Sequence, residues 1–211
     1  MFGLWHRAAG KPRENAGLGI PNVTPIVFRT RDGITLRGYK ISSALEPSKA
    51  SLLVAQGNAL LAEQTLALLR QFAQAGIDSY VFDFRGYGKS EGVSRLSAIV
   101  RDYEELTTNL VETTSGPHVL YGFSFGGIIL LDAAGTNHDI ARIVVDSTPS
   151  RLSTHGCPIN YDAVANVSGI GSRLLIIAGG HDRVVTPEMS RELMDKAPRG
   201  ASVRATAQRR A

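Results

Sequence analysis

Hydrophobic positions recur along this chain with two different periods, and the places where each begins and ends set out the elements. Up to about residue 24 neither period holds. Gly10, Pro12, Gly17, Gly19 and Pro21 interrupt every apolar run, so residues 1–24 read as a loose leader. A strand-like run, Ile26-Val27-Phe28-Arg29, then meets the turn Arg31-Asp32-Gly33 and is followed by Ile34 to Ile41, predicting an antiparallel hairpin. Ser51-Leu52-Leu53-Val54-Ala55 is instead an unbroken apolar run, as expected of a parallel strand covered on both faces. Leu61, Thr65, Leu68, Leu69 and Phe72 recur at helical spacing up to Gly76. The alternation of strand and helix continues through Tyr80-Val81-Phe82, Leu96 to Leu110, His118 to Tyr121 and Phe125 to Ala134. The last of these is apolar nearly all round and therefore a buried helix. Ile143-Val144-Val145 and Leu174 to Ala178 are two further strands, and Thr186 caps a final helix with Pro187 at its first position.

Strands that alternate with helices predict an α/β fold, a mostly parallel sheet with helices on both faces. At 211 residues the chain makes one domain, spanning about 25–198, with a loop-rich, cap-like connection at 147–172. In such sheets the reactive groups collect at the carboxyl ends of the strands. Composition changes this picture little. The net charge of +4 is modest and sits partly at the two ends, where arginines are not interleaved with aromatics, so nucleic-acid binding is not expected. Cys157 is alone, which excludes an intramolecular disulfide and suits a reducing, cytoplasmic compartment. No apolar run approaches the length of a membrane span; the nearest, Ile128 to Ala134, is broken by Asp132.

The chemistry begins at Gly122-Phe123-Ser124-Phe125-Gly126, between an apolar strand and a buried helix. This is the pattern of a nucleophile elbow, a turn so tight that its flanking positions must lack side chains, with the serine thrown up at the sheet's edge. The N–H of Phe125 opens the helix, so partial positive charge faces a developing oxyanion. Asp182 and Asp146 both end strands and are both candidates for the acid of a catalytic triad.

Three segments, in order, carry a family resemblance. Asp83-Phe84-Arg85-Gly86-Tyr87-Gly88-Lys89-Ser90-Glu91-Gly92 is very similar to a loop of the esterase-like and serine-aminopeptidase-like alpha/beta hydrolases. Gln56-Gly57-Asn58-Ala59 resembles their oxyanion loop, with glutamine where the family has histidine, and Gly180 to Pro187 resembles their acid loop. The resemblance covers residues 26 to about 197. It implies Ser124 as nucleophile, Asp182 as the acid that orients a histidine, and backbone donors at Phe125 and Asn58 for the oxyanion hole. Asp83 and Arg85 look structural. The implied reaction is hydrolysis of an ester, thioester or amide of a small acyl substrate through an acyl-serine, with no metal or cofactor; nothing implies an oligomeric state.

The tail departs from this pattern. The family's histidine follows one further strand, but Ala201 to Ala211 holds neither histidine nor an apolar run, and the composition turns to alanine and arginine after Pro198. The last strand and helix are therefore expected to be absent and residues 199–211 to form an atypical basic tail, as a shifted frame or truncated gene would give. An impaired or inactive hydrolase-fold protein is the alternative function. Two histidines could substitute as base, namely His155 in the cap-like connection and His181 beside Asp182.

Overall fold

A computed structural model describes residues 8–14, 17, 19–134 and 137–197, together with the backbone of 202–206. The hairpin of β1 (Val23–Arg29) and β2 (Thr35–Ile41) turns at Gly33, whose φ of 82° a side chain would strain. Then come β3 (Ala50–Ala55), α1 (Leu66–Gln74), β4 (Ile77–Phe82), α2 (Leu96–Thr113), β5 (His118–Phe123) and α3 (Phe125–Ala134). After β6 (Ile140–Asp146) the connection at 147–172 is a chain of short helical turns, the longest being α4 (Ala163–Asn166). β7 (Leu174–Gly179), α5 (Pro187–Lys196) and β8 (Ser202–Thr206) complete the described chain.

Among the described residues the sheet has eight strands in the order β1-β2-β4-β3-β5-β6-β7-β8. β1 and β2 run antiparallel to each other and β2 to β4; every other neighbouring pair is parallel. Alternate residues of β3 pack into different layers. Leu53 and Ala55 join the larger core with α2 and α3, while Leu52 and Val54 join a smaller one with Leu66 and Leu69 of α1. That two-sided burial explains why β3 reads as an unbroken apolar run. Because β4 lies on one side of β3 and β5 on the other, chain direction around the sheet reverses between β3 and β5. In an open parallel sheet this is where a crevice opens at the strands' carboxyl ends.

The expectation that the last strand is absent is corrected. Ser202–Thr206 runs parallel to β7, from Leu175 beside Ser202 to Gly179 beside Thr206. Edge pairing is a property of the backbone, and the N–H and C=O row of β7 is a template that does not require an apolar partner. The rest of the expected basic tail (199–201 and 207–211), and with it any closing helix, lies outside the described residues, as do Met1 to Arg7 of the leader. The leader's described part is in contact with the domain: Ala9 is buried in the core and the Arg13 N–H donates to the Glu63 carboxylate at 3.0 and 3.1 Å.

Candidate active site

Ser124 stands where β5 ends and α3 begins, with a left-handed φ of 53°, one of three positive values among the described non-glycine residues. Such a conformation is costly for serine and persists only when its surroundings enforce it. The enforcement comes from backbone packed on backbone. A Cβ on Gly126 would lie 1.9 Å from the Ala55 oxygen at the end of β3, and one on Gly122 would lie 2.4 Å from the Gly127 Cα. The Ser124 N–H is bound to the Asp146 oxygen at 2.8 Å, which ties this turn to the end of β6.

The side of Ser124 opens on a cleft of about 340 Å³, lined by Asn58, Leu60, Phe123, Pro149, Leu152 and Val184 among others. No charged side chain among the described residues lines it. Phe125, the residue that follows the serine, starts α3 and packs edge-on against Phe84 with ring centroids 5.7 Å apart. Asn58 follows β3 across the chain reversal, so the two expected oxyanion donors come from the two strands that flank it.

The loop Asp83–Gly92 reaches the site in a way the sequence did not signal. The Tyr87 hydroxyl donates to the Asn58 Oδ1 at 2.6 Å, and the buried Tyr87 ring packs on Phe84. Burial pushes the Tyr87 phenol up to about 12. The loop is itself braced. Asp83 Oδ1 accepts the Ala62 N–H at 2.7 Å, and Gly88 leaves room for that carboxylate, which a Cβ there would meet at 2.1 Å. Burial pushes the Asp83 carboxyl up from its ordinary value. Arg85 binds Asp102 through Nε at 2.6 Å and through a second, bidentate contact, and reaches Asp32 in the hairpin turn at 2.9 Å. Arg85 holds the Asp32 carboxyl down to about 2. A bracing position for Asp83 and Arg85 is what the resemblance implied; the pairing of Arg85 with Asp32 and Asp102 carried no signal in the sequence. Gln56, standing where the family has histidine, is fully buried and donates from Nε2 to the Phe82 oxygen at 3.0 Å. Its Oε1 has no hydrogen-bond partner among the described residues.

Asp182 lies in the loop after β7 and is half-buried. Its Oδ1 accepts the N–H groups of Val184 at 2.8 Å and Val185 at 3.0 Å, and Val184 in turn lines the serine's cleft. β5 and β7 are separated by one strand, so their ends stand roughly 10 Å apart, a gap that one imidazole ring bridges. Asp146 is nearer in the sheet but its carboxylate is engaged, by the Tyr121 hydroxyl at 2.7 Å and the Ser147 hydroxyl at 3.2 Å. Neither candidate histidine lines the cleft of Ser124. His155 opens on a separate cleft of about 370 Å³ together with Cys157 and Tyr161, and His181 is exposed at the start of the acid loop.

The model of the serine aminopeptidase S33 family matches residues 46–160, and the chain belongs to that family of alpha/beta hydrolases. It is 28% identical over 192 residues to the uncharacterized protein YfhR of Escherichia coli K12, an alignment that covers 80% of this chain and 66% of that one. With the uncharacterized protein Rv2307c of Mycobacterium tuberculosis it shares 24% over 206 residues, covering 90% and 73%. The chain thus spans about two thirds of the length of these relatives. Among solved structures, the esterase Pf2001 of Pyrococcus furiosus superposes with a TM-score of 0.75 at 20% identity, covering 88% of this chain and 83% of that one. The alpha/beta hydrolase GrgF of Penicillium sp. sh18 gives 0.74 at 15% identity, covering 89% and 90%. Both likenesses concern the fold. Among the described residues no helix is long and apolar enough to cross a membrane.

Proposed function

We propose that this chain is a serine hydrolase in which Ser124 attacks a neutral ester, thioester or amide and carries the acyl group as an acyl-serine. The observation behind this reading is the strained φ of 53° at Ser124, which glycines at 122 and 126 permit and which turns the serine into an uncharged cleft. In the proposed mechanism Ser124 Oγ attacks the acyl carbon, and the carbonyl oxygen gathers negative charge beside the backbone of Asn58 and Phe125 at the start of α3. That charge is stabilised by the helix's first-turn N–H groups. Asp182 would orient the base that takes the hydroxyl proton and passes it to the leaving group. A cytoplasmic location, resting on the lone Cys157, belongs to the same proposal.

The second reading, a catalytically impaired hydrolase, is favoured by one observation: no histidine among the described residues lines the cleft. One experiment decides between them. The 211-residue chain is treated with a fluorophosphonate and, separately, with nitrophenyl acetate, each with and without added imidazole. Labelling at Ser124 and brisk turnover that Ser124→Ala abolishes establish the hydrolase, and losses in His155→Ala or His181→Ala identify the base. Feeble turnover that imidazole raises at least about tenfold, in a Ser124-dependent way, establishes an intact elbow lacking its base. Turnover that survives Ser124→Ala overturns the assignment.

A further inference from the structure

Asp162 is a carboxylate with 0% exposure that has no part in the acyl-transfer chemistry. Charges are rarely buried without a full set of partners, and Asp162 has one. Its Oδ1 accepts the N–H groups of Leu152 at 2.7 Å and Ser153 at 2.8 Å, and its Oδ2 accepts the Ser153 hydroxyl at 2.6 Å. Arg151 approaches Oδ2 at 3.7 Å and pairs through its other nitrogens with Glu192 of α5. These bonds fix one turn of the cap. Its first residue, Leu152, lines the cleft of Ser124, and its carbonyl accepts the N–H groups of His155 and Cys157 at 2.9 and 3.4 Å. His155 and Cys157, with Tyr161 next to Asp162, line a second cleft. One turn therefore lines two clefts, with Leu152 on one of about 340 Å³ and His155 and Cys157 on another of about 370 Å³.

We propose that Asp162 is a specificity-positioning residue that holds Leu152 as the end wall of the acyl cleft and so restricts this protein to short, uncharged acyl groups. The proposal rests on the reading of the Ser124 cleft as the acyl site, and deepens it. A rigid end wall excludes long chains. Loosening the turn joins the two clefts, and each methylene that then finds apolar burial gains roughly fourfold in affinity.

The test reads occupancy rather than catalysis. Binding of N-methyl butanamide and N-methyl decanamide, inert mimics of a short and a long acyl group, is followed by NMR on the backbone amides of Leu60, Phe123 and Val184. The wild-type chain should bind the butanamide and bind the decanamide no better, despite its greater apolar area. Asp162→Asn should raise decanamide affinity about tenfold or more while leaving butanamide affinity within about twofold, and Leu152→Ala should raise the ratio of decanamide to butanamide affinity in the same direction. Should Asp162→Asn not fold, Ser153→Ala removes one of the carboxylate's donors and should shift the same ratio by a smaller amount. Wild-type binding that already climbs with chain length, a ratio unmoved in the Asp162 and Ser153 variants, or no binding of either amide overturns the proposal. Loss of the hydrolase reading alone shows as normal amide selectivity with no Ser124-dependent labelling.

Discussion

Around Ser124 the chain is packed backbone against backbone, whereas around Asp182 it is held by two hydrogen bonds at a partly open edge. At the elbow, a Cβ on Gly126 would stand 1.9 Å from the oxygen of β3. Where β7 enters the acid loop, a Cβ on Gly179 would come no closer than 3.3 Å, to the Asp182 side chain, and Val184 is 81% exposed. Ser124, the proposed nucleophile, is thus fixed to the core through its neighbours between central strands, while Asp182, the proposed acid, hangs on a strand one place from the edge. A serine in this position cannot drift without unpacking β3, β5 and α3. A carboxylate on a partly open margin can be re-aimed by its neighbours, and its geometry is completed by whatever packs beside it. Evolutionary change at the two ends should therefore have different consequences: at the elbow for folding, at the acid loop for rate alone.

The largest expected effect tests the crowded end. Gly126→Ala should destabilise the domain by about 3 kcal/mol or more, since neither partner is a flexible side-chain tip, and denaturant titration reads this directly. A variant as stable as the parent would show that the elbow has room, and the contrast would break.

Next comes Asp162, which ties the cap to α5 beside the acid loop. Asp162→Asn should cost about 2 kcal/mol at neutral pH, the scale of hydrogen bonds to a charged acceptor. Burial works to raise this carboxyl, but the bonds from Ser153 and Leu152 outweigh it and hold the value below the ordinary 3.8. An acid whose folded value is depressed stabilises the fold above its unfolded value, and that contribution is lost as pH falls through the folded one. The stability gap between wild type and Asp162→Asn should accordingly narrow below about pH 4 and stay constant above about pH 5. A gap that widens on acidification would contradict the charged, fully bonded Asp162.

Tyr87→Phe sharpens the comparison at the oxyanion side. Loss of the hydrogen bond to Asn58 should cost about 1 kcal/mol of stability. If turnover is measurable, kcat should fall about tenfold with KM little changed, because the oxyanion contact strengthens only in the transition state. A change confined to KM would mean that Asn58 serves substrate binding instead. The smallest effect belongs to the open end: Gly179→Ala should shift stability by less than about 1 kcal/mol, its nearest neighbour being a side chain at 3.3 Å.

How far each feature was legible in the sequence follows its physical scale. β3 and α3 were readable because burial on both sides leaves an uninterrupted apolar run at Leu52–Ala55 and Ile128–Leu131. Ser124 was readable because a turn this tight admits glycine alone at its flanks. β8 was not, since an edge strand needs only a backbone template, and Ala201–Ala211 was expected to stay unpaired. The Tyr87–Asn58 bond, the Arg85 cluster with Asp32 and Asp102, and the Asp162 clasp join residues 29, 53, 17 and about 10 positions apart. Nothing local marks either partner of such a pair.

What this sequence determined alone is therefore what local sterics and periodicity dictate: the alternation of buried strands with amphipathic helices, and a serine between glycines at a strand's end. Tertiary structure decided the rest. It placed β5 across β3 from β4, which opens the crevice; it brought Val184 of the acid loop to the wall of the Ser124 cleft; and it set both candidate histidines away from that cleft. The reason is that periodicity records only whether a residue is buried. Which residues share a cavity depends on strand order and crossover direction, and these are chosen by the packing of whole layers.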